Sequence, residues 1–448
     1  MTVAAKPAEA NTMVSCALVL IAAAISCVLF FYFADRSAIR VPVYDMLDWL
    51  QFYDDRVRAN DWVGYLWTPA NEHRLVFTRA LIAIDIRWLG GRGNGFGIFG
   101  SLIWIFAVLA AWRVVLTFSK TLTFRIFAGS IVLLILSPTY IVTTISMPAA
   151  GAFIQTPSFA LFCMALLDNE TNHVRLRSFY RVCALICACL SSFGVASGLL
   201  IWPVLIWSAW RAGLGRNWIV AVIGAGLVFV ALFLWKMPPK SYQSPLSIQS
   251  FIASIDYGIR FLGLPWSHAV ELAWPARAVG LVVLMVGGLV VARASIQREK
   301  PPRAQRIGAA LILFTFLVAA AAAFGRVNIP GPTPIRYAMF MVLAHLGLFL
   351  YALPTCMPSG KRVALLPYNG LRLFWRLLGS ATKSRSAKWL LRKPATTMMP
   401  GRALSRANGR QICFSTFTRT MSRLWPGLLI CDAITSAGRC RLEDDGEI

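Results

Sequence analysis

Acidic side chains are scarce in this chain. Its 448 residues hold 19 Asp and Glu against 44 Lys and Arg, with 4 His, and charged residues make up 14%. With so few carboxylates, the positions of those present carry information. A zinc framework is lacking as well. The 10 cysteines form no CxxC pair and no Cys/His spacing of the kind zinc sites use. Cys16, Cys27, Cys163, Cys183, Cys187 and Cys189 lie in apolar runs, where cysteine acts as a small hydrophobe. No cysteine falls between positions 35 and 95, so no disulfide can staple that stretch. No internal repeat is visible, which counts against the repeat-built transporters.

What the chain has in abundance is apolar surface. A hydrophobic share of 58% and a mean hydropathy of +0.64 place it among polytopic membrane proteins. The net charge of +25 does not imply nucleic acid, because the basic residues sit in short loops between apolar runs and in the tail. An anionic inner leaflet is the expected partner of that tail.

Met13 to Ala34 is apolar throughout, long enough to cross a hydrocarbon core of about 30 Å. The run is too long for a signal peptide and no A-x-A site follows it, so it reads as an uncleaved first helix. Further spans are expected at 96–118, 126–146, 150–167, 182–195, 197–210, 218–235, 275–292, 307–324 and 337–353. The pair 182–195 and 197–210 is short and joined at Ser191-Ser192-Phe193-Gly194, so one long or re-entrant element is the alternative. The expected fold is therefore an all-α polytopic membrane protein of about ten transmembrane helices with a large first extracytoplasmic loop.

Lys120, Arg125, Arg175, Arg177, Arg181, Arg211, Arg216, Arg293, Arg298, Lys300, Arg303 and Arg306 all fall on one side of that layout. The positive-inside bias makes this side cytoplasmic and places both termini there. Residues 1–12 are then a cytoplasmic N-terminus, and 13–353 form the membrane domain with outer loops 35–95 and 236–274. The second outer loop is expected to rest on the outer surface as an interfacial helix-turn segment. Residues 354–393 alternate apolar and basic positions, as in a helix lying on the cytoplasmic leaflet. The stretch 394–448 shows no periodicity and is expected to be disordered.

The loop 35–95 holds eight of the 19 acids: Asp35, Asp45, Asp48, Asp54, Asp55, Asp61, Glu72 and Asp85. Asp45-x-x-Asp48-Trp49 fits a short amphipathic helix, where residues three apart share a face. Two carboxylates close together split their protonation, which suits a base or a metal ligand; a solvated helix face is the plainer use. Asn71-Glu72-His73-Arg74 packs a carboxylate, an imidazole and a guanidinium in succession. Arg grips phosphate in bidentate fashion and His bonds or ligates, while Asn71 alternatively caps the helix that follows. Trp49, Tyr53, Trp62, Tyr65 and Trp67 suit stacking on sugar rings or anchoring at the interface. Arg336-Tyr337 opens the last span on the outer side, where an arginine either meets an anion or snorkels. Asp35, Asp54, Asp55, Asp61 and Asp85 read as residues that keep the loop solvated.

With these residues in place, the chain resembles the GT-C superfamily of membrane glycosyltransferases. More narrowly, it is similar to bacterial multi-spanning proteins with an Asp-Trp segment (here Asp48-Trp49), an Asn-Glu-His-Arg segment (Asn71 to Arg74) and a late Arg-Tyr (Arg336-Tyr337). Gly151-Ala-Phe-Ile-Gln155 and Gly198-Leu-Leu-Ile-Trp-Pro203 look like stretches of the same group. The resemblance covers about residues 13–353 and implies sugar transfer from a polyprenyl-phosphate donor to a glycan, lipid or protein acceptor on the outer face. It makes Asp45 or Asp48 the base, with Glu72 a second carboxylate. Arg74 and Arg336 then hold phosphate, with His73, Tyr337 and Trp49 lining the substrate site. Cationic groups or a divalent cation stabilise the leaving phosphate; no metal-ligand set is assigned. The rival expectations are a transporter or flippase of lipid-linked sugars and a non-catalytic envelope protein.

Overall fold

The computed structural model describes 13–14, 17–25, 28, 32, 45–70, 73–91, 94–117, 122–136, 151–168, 173–238, 247–264, 273–326 and 337–354. Among the described residues the fold is all-helical, its one β-type contact being an isolated bridge between Ala70 and His73. Glu72, Arg336, His268 and the segments 1–12 and 355–448 lie outside them.

Three helices build the described part of the first loop: α1 (Asp45–Arg58), α2 (Trp62–Trp67) and α3 (Val76–Trp88). The bundle follows as α4 (Asn94–Leu116), α5 (Leu122–Ile135), α6 (Gly151–Leu167), α7 (Val174–Ser192), α8 (Ile201–Arg211) and α9 (Arg216–Leu234). It continues with α10 (Ile248–Leu262), α11 (Ala273–Ile296), α12 (Arg303–Arg326) and α13 (Ala338–Ala352). Four of these, α4, α9, α11 and α12, are long and apolar enough to cross a membrane; α5, α6 and α13 are shorter apolar helices.

Apolar side chains all round a helix leave packing, not amphipathicity, to decide what is central. α12 is 61% buried and α4 53%, whereas α9 and α11 are 17% and 22% buried and form the outer wall. α13 sits deepest, with every residue from Ala338 to Ala344 buried. It approaches α12 through facing glycines: a Cβ on Gly308 would lie 2.5 Å from the Gly347 carbonyl oxygen, and one on Gly347 would lie 2.6 Å from that of Gly308. Small residues permit this contact where no hydrophobic effect drives helices together.

The arginine contacts between elements of the bundle gather at two ends. At one end Arg113 lies over Tyr180 and Arg181 over Trp218. There too, Arg211 donates to the Gln297 and Glu299 carbonyls and Arg303 to the Ala165 carbonyl. Arg306 and Asp168 form a buried two-pronged ion pair at this end, with N–O distances of 2.7 and 2.6 Å. At the opposite end the first loop meets Ala196, just past α7, and the last turn of α9, and Tyr337 meets Phe153 and Phe261.

Several boundaries differ from the sequence reading. The helices α5, α7 and α12 begin earlier and α11 ends later than expected, so Arg125, Arg175, Arg177, Arg181, Arg293, Arg303 and Arg306 belong to helices rather than loops, as do Arg211 and Arg216 at the ends of α8 and α9. The basic end is held by arginine–carbonyl and arginine–carboxylate bonds that favour extending the helices to reach them. The ambiguous pair resolves as a broken element: α7 ends at Ser192, a 3-10 turn occupies Ala196–Leu200, and α8 follows directly.

Candidate functional site

Arg79 organises the first loop. It is buried on α3 and donates to the carbonyl of Tyr65 at 2.8 Å and to that of Thr68. Its guanidinium lies 4.7 Å over the Phe52 ring, while the Tyr65 hydroxyl donates back to the Arg79 carbonyl at 3.0 Å. Burial pushes its pKa down to about 10 and pushes the Tyr65 phenol up. Phe52, Tyr53, Trp62 and Tyr65 pack ring against ring, with centroids 5.3–6.3 Å apart. Tyr53 and Tyr65 are buried and thus serve as the core of the loop, not as sugar platforms. Trp49 is half-buried against the main core.

The carboxylates of the loop divide into distinct roles. Asp45 and Asp48 occupy the first and fourth positions of α1, and their side chains lie outside the described residues. Asp61 caps α2 by accepting the Gly64 amide at 2.8 Å and pairs with Arg56. Those two partners, the amide first, hold its carboxyl below the usual range. Asp54 pairs with Arg58. Asp85, read as a solvating acid, is instead buried on the inner face of α3 with Thr78, Arg79 and Ile82. That helix turns Ile84 and Trp88 outward. On its polar inner face Arg79 donates to carbonyls of α2 and its flank.

Ala70 and His73 exchange both backbone hydrogen bonds, at 2.8 and 2.9 Å. The next helix starts at Val76 with Leu75 as its cap, so Asn71 does not cap it. Emerging from this turn, His73 and Arg74 reach two different helix ends. The Nδ1 of His73 accepts the Ala196 amide at 3.1 Å. Arg74 is 1% exposed. Its Nε donates to the Phe233 carbonyl at 2.6 Å, its other nitrogens donate to the carbonyls of Trp67 and Trp235, and it lies 5.0 Å over the Trp67 ring. Phe233 and Trp235 flank the C-terminus of α9, where unpaired carbonyls call for a cation. Burial lowers the Arg74 pKa. In this structure the Arg74 guanidinium clasps a helix end through these carbonyls.

The broken element beside His73 is densely bonded. Thr156 Oγ1 donates to the Ser191 carbonyl and accepts the Val195 amide, and Ser191 Oγ donates to the Thr156 carbonyl. Gln155 Nε2 donates to the Leu190 carbonyl at 2.9 Å, and Trp202 Nε1 donates to Ser192 Oγ at 3.0 Å. A Cβ on Gly198 would meet the Ser191 carbonyl oxygen at 2.0 Å, so only glycine fits. Non-helical backbone at membrane depth needs such internal partners. Gln155 Oε1 is buried without a donor among the described residues, an acceptor available to a water or a substrate hydroxyl.

Tyr337 is buried at the same end, edge-on to Phe153 at 5.0 Å and 5.3 Å from Phe261. Sequence reasoning missed Arg79, Thr156 and the Asp168–Arg306 pair. The spacing Thr78-Arg79, Ile82, Asp85 was the available signal for the first, since it places polar groups along one helix stripe. Among the described residues no three His, Cys, Asp or Glu side chains gather as a metal-binding group. No family model, curated protein or solved structure matches the chain.

Proposed function

We propose that this chain is a GT-C-type membrane glycosyltransferase, moving a sugar from a polyprenyl-phosphate donor to an envelope acceptor on the outer face. One observation carries the reading. Three stretches that resemble the group, the turn bearing His73, Gly151–Gln155 and the segment from Gly198, meet around Leu190 to Ala196 at one end of the bundle. The positive-inside bias makes the arginine-rich end cytoplasmic and this end extracytoplasmic, with about ten spans and both termini inside.

In the proposed reaction Asp45 or Asp48 takes the proton of the acceptor hydroxyl as its oxygen bonds to the anomeric carbon. The bond from that carbon to the phosphate oxygen breaks, and the lipid phosphate leaves with the electron pair. Glu72 is the second carboxylate, Arg336 the cation for the leaving phosphate, and Trp49, His73 and Tyr337 flank the site. A divalent cation would supply further charge neutralisation. Arg74 acts one step removed, by fixing the loop to α9.

The helix break favours one rival, because transporters build substrate sites from discontinuous helices. Here, though, the break is bonded by Thr156, Ser192 and His73. Comparing envelope glycans and lipid-linked sugars from cells with and without the protein separates the readings. Loss of one sugar from the glycan while its lipid-linked form persists outside supports transfer. Retention of that lipid-linked sugar on the inner leaflet supports flipping, and no change in either overturns both.

A further inference from the structure

Helix α10 presents an apolar stripe to the exterior. Ile248, Phe251, Ile252 and Ile255 follow the helical period and are between 49% and 82% exposed. Its opposite face, Ser254, Tyr257 and Phe261, is buried. Its C-terminal half is packed between α11 and α12. Ile259 touches α11 at Gly280, Gly263 touches it at Ala276, and Gly258 faces Ala323 of α12. Gly280 lies six residues beyond Trp274, about 9 Å along the helix.

Two exposed tryptophans bracket the loop, Trp235 at the end of α9 and Trp274 at the start of α11. Trp at such positions marks the headgroup level, so α10 enters the leaflet rather than lying above it. The stripe continues the exposed apolar wall of α11 at Leu281, Val282 and Met285. Along one flank, Asp256 accepts from Arg277 at 2.8 and 3.1 Å and pairs with Arg260 at 3.0 Å. Two guanidiniums share one carboxylate, which leaves a net positive charge beside the stripe.

We infer that α10 seats an anionic phospholipid of the outer leaflet, with acyl chain on the Ile248–Ile255 stripe and phosphate at Arg260 and Arg277. The inference rests on the membrane orientation proposed above but not on sugar transfer, and it stands or falls apart from that activity. The test uses the full chain carrying Ile252→p-benzoylphenylalanine, irradiated in vesicles of equal phosphatidylglycerol and phosphatidylcholine. Phosphatidylglycerol adducts are expected to exceed phosphatidylcholine adducts by about twofold or more, falling to parity when Arg260→Gln and Arg277→Gln are added. Parity in the unaltered background overturns the inference. So does an adduct with a second copy or another segment of this chain. A third contrary result is full labelling of Ile252→Cys by a membrane-impermeant maleimide, which reports a water-facing stripe.

Discussion

The imidazole of His73 and the amide of Ala196, 123 positions apart, are joined by a 3.1 Å hydrogen bond in which Nδ1 is the acceptor. A neutral ring accepting at Nδ1 carries its proton on Nε2. The bond ties the first loop to the break between α7 and α8, where the chain leaves regular α-helical geometry.

Replacing His73 tests that tie. His73→Ala removes the acceptor and leaves the Ala196 amide without it, at a cost of about 1–3 kcal/mol. His73→Asn, which offers an amide oxygen, is expected to recover part of the loss. Thermal unfolding of the purified protein, together with proteolysis of the loop at 70–74, reads both.

Arg74→Lys separates a clasp from a phosphate grip. Lysine is a point charge without the planar fork, so it cannot reach the Trp67, Phe233 and Trp235 carbonyls together. We expect a loss of about 3 kcal/mol in stability, seen as a lower melting temperature before any substrate is added. A phosphate ligand would leave the melting temperature unchanged and weaken donor binding alone.

The Asp168–Arg306 pair is buried on both sides and offsets arginines placed in the first turn of α12, where the helix dipole disfavours them. Asp168→Asn strands the guanidinium and is expected to destabilise by about 3–5 kcal/mol. The double substitution Asp168→Leu with Arg306→Met should regain most of that. Additive losses in the double variant would contradict the pairing.

Asp61 gives a pH-dependent element. Its folded pKa lies below the usual carboxylate value, through the Gly64 amide and then Arg56. The stabilisation is therefore complete above that usual value and is lost as pH falls through the lowered one. Hydrogen exchange at the first turn of α2 should accelerate in that acid window, and Asp61→Asn should remove the acid dependence.

Much of the bundle was legible in the sequence because lipid-length apolar runs have few alternatives. Runs at 96–118, 218–235 and 337–353 match α4, α9 and α13 within about two residues at most ends, as is usual for helix termini. The loop helix beginning at Asp45 was legible too. The roles of Tyr65, Asp85 and Arg74 were not, since the same residue types serve a wet ligand site or a dry interior. Which use applies depends on distant carbonyls, such as those of Phe233 and Trp235, that no local spacing reveals. The helix break posed the same difficulty: Thr156 supplies its bonds from another helix.

Sugar transfer in reconstituted vesicles is the most direct measure of the central claim. Purified protein, a polyprenyl-phosphate-linked sugar and an envelope acceptor fraction are combined, and radiolabelled sugar in the acceptor is counted. Transfer is expected from the unaltered chain, with at least a hundredfold loss (about 3 kcal/mol in the barrier) in Asp45→Asn or Asp48→Asn and unchanged melting of the variant. Full transfer by both single variants and by the double variant would contradict the assignment of the base to α1.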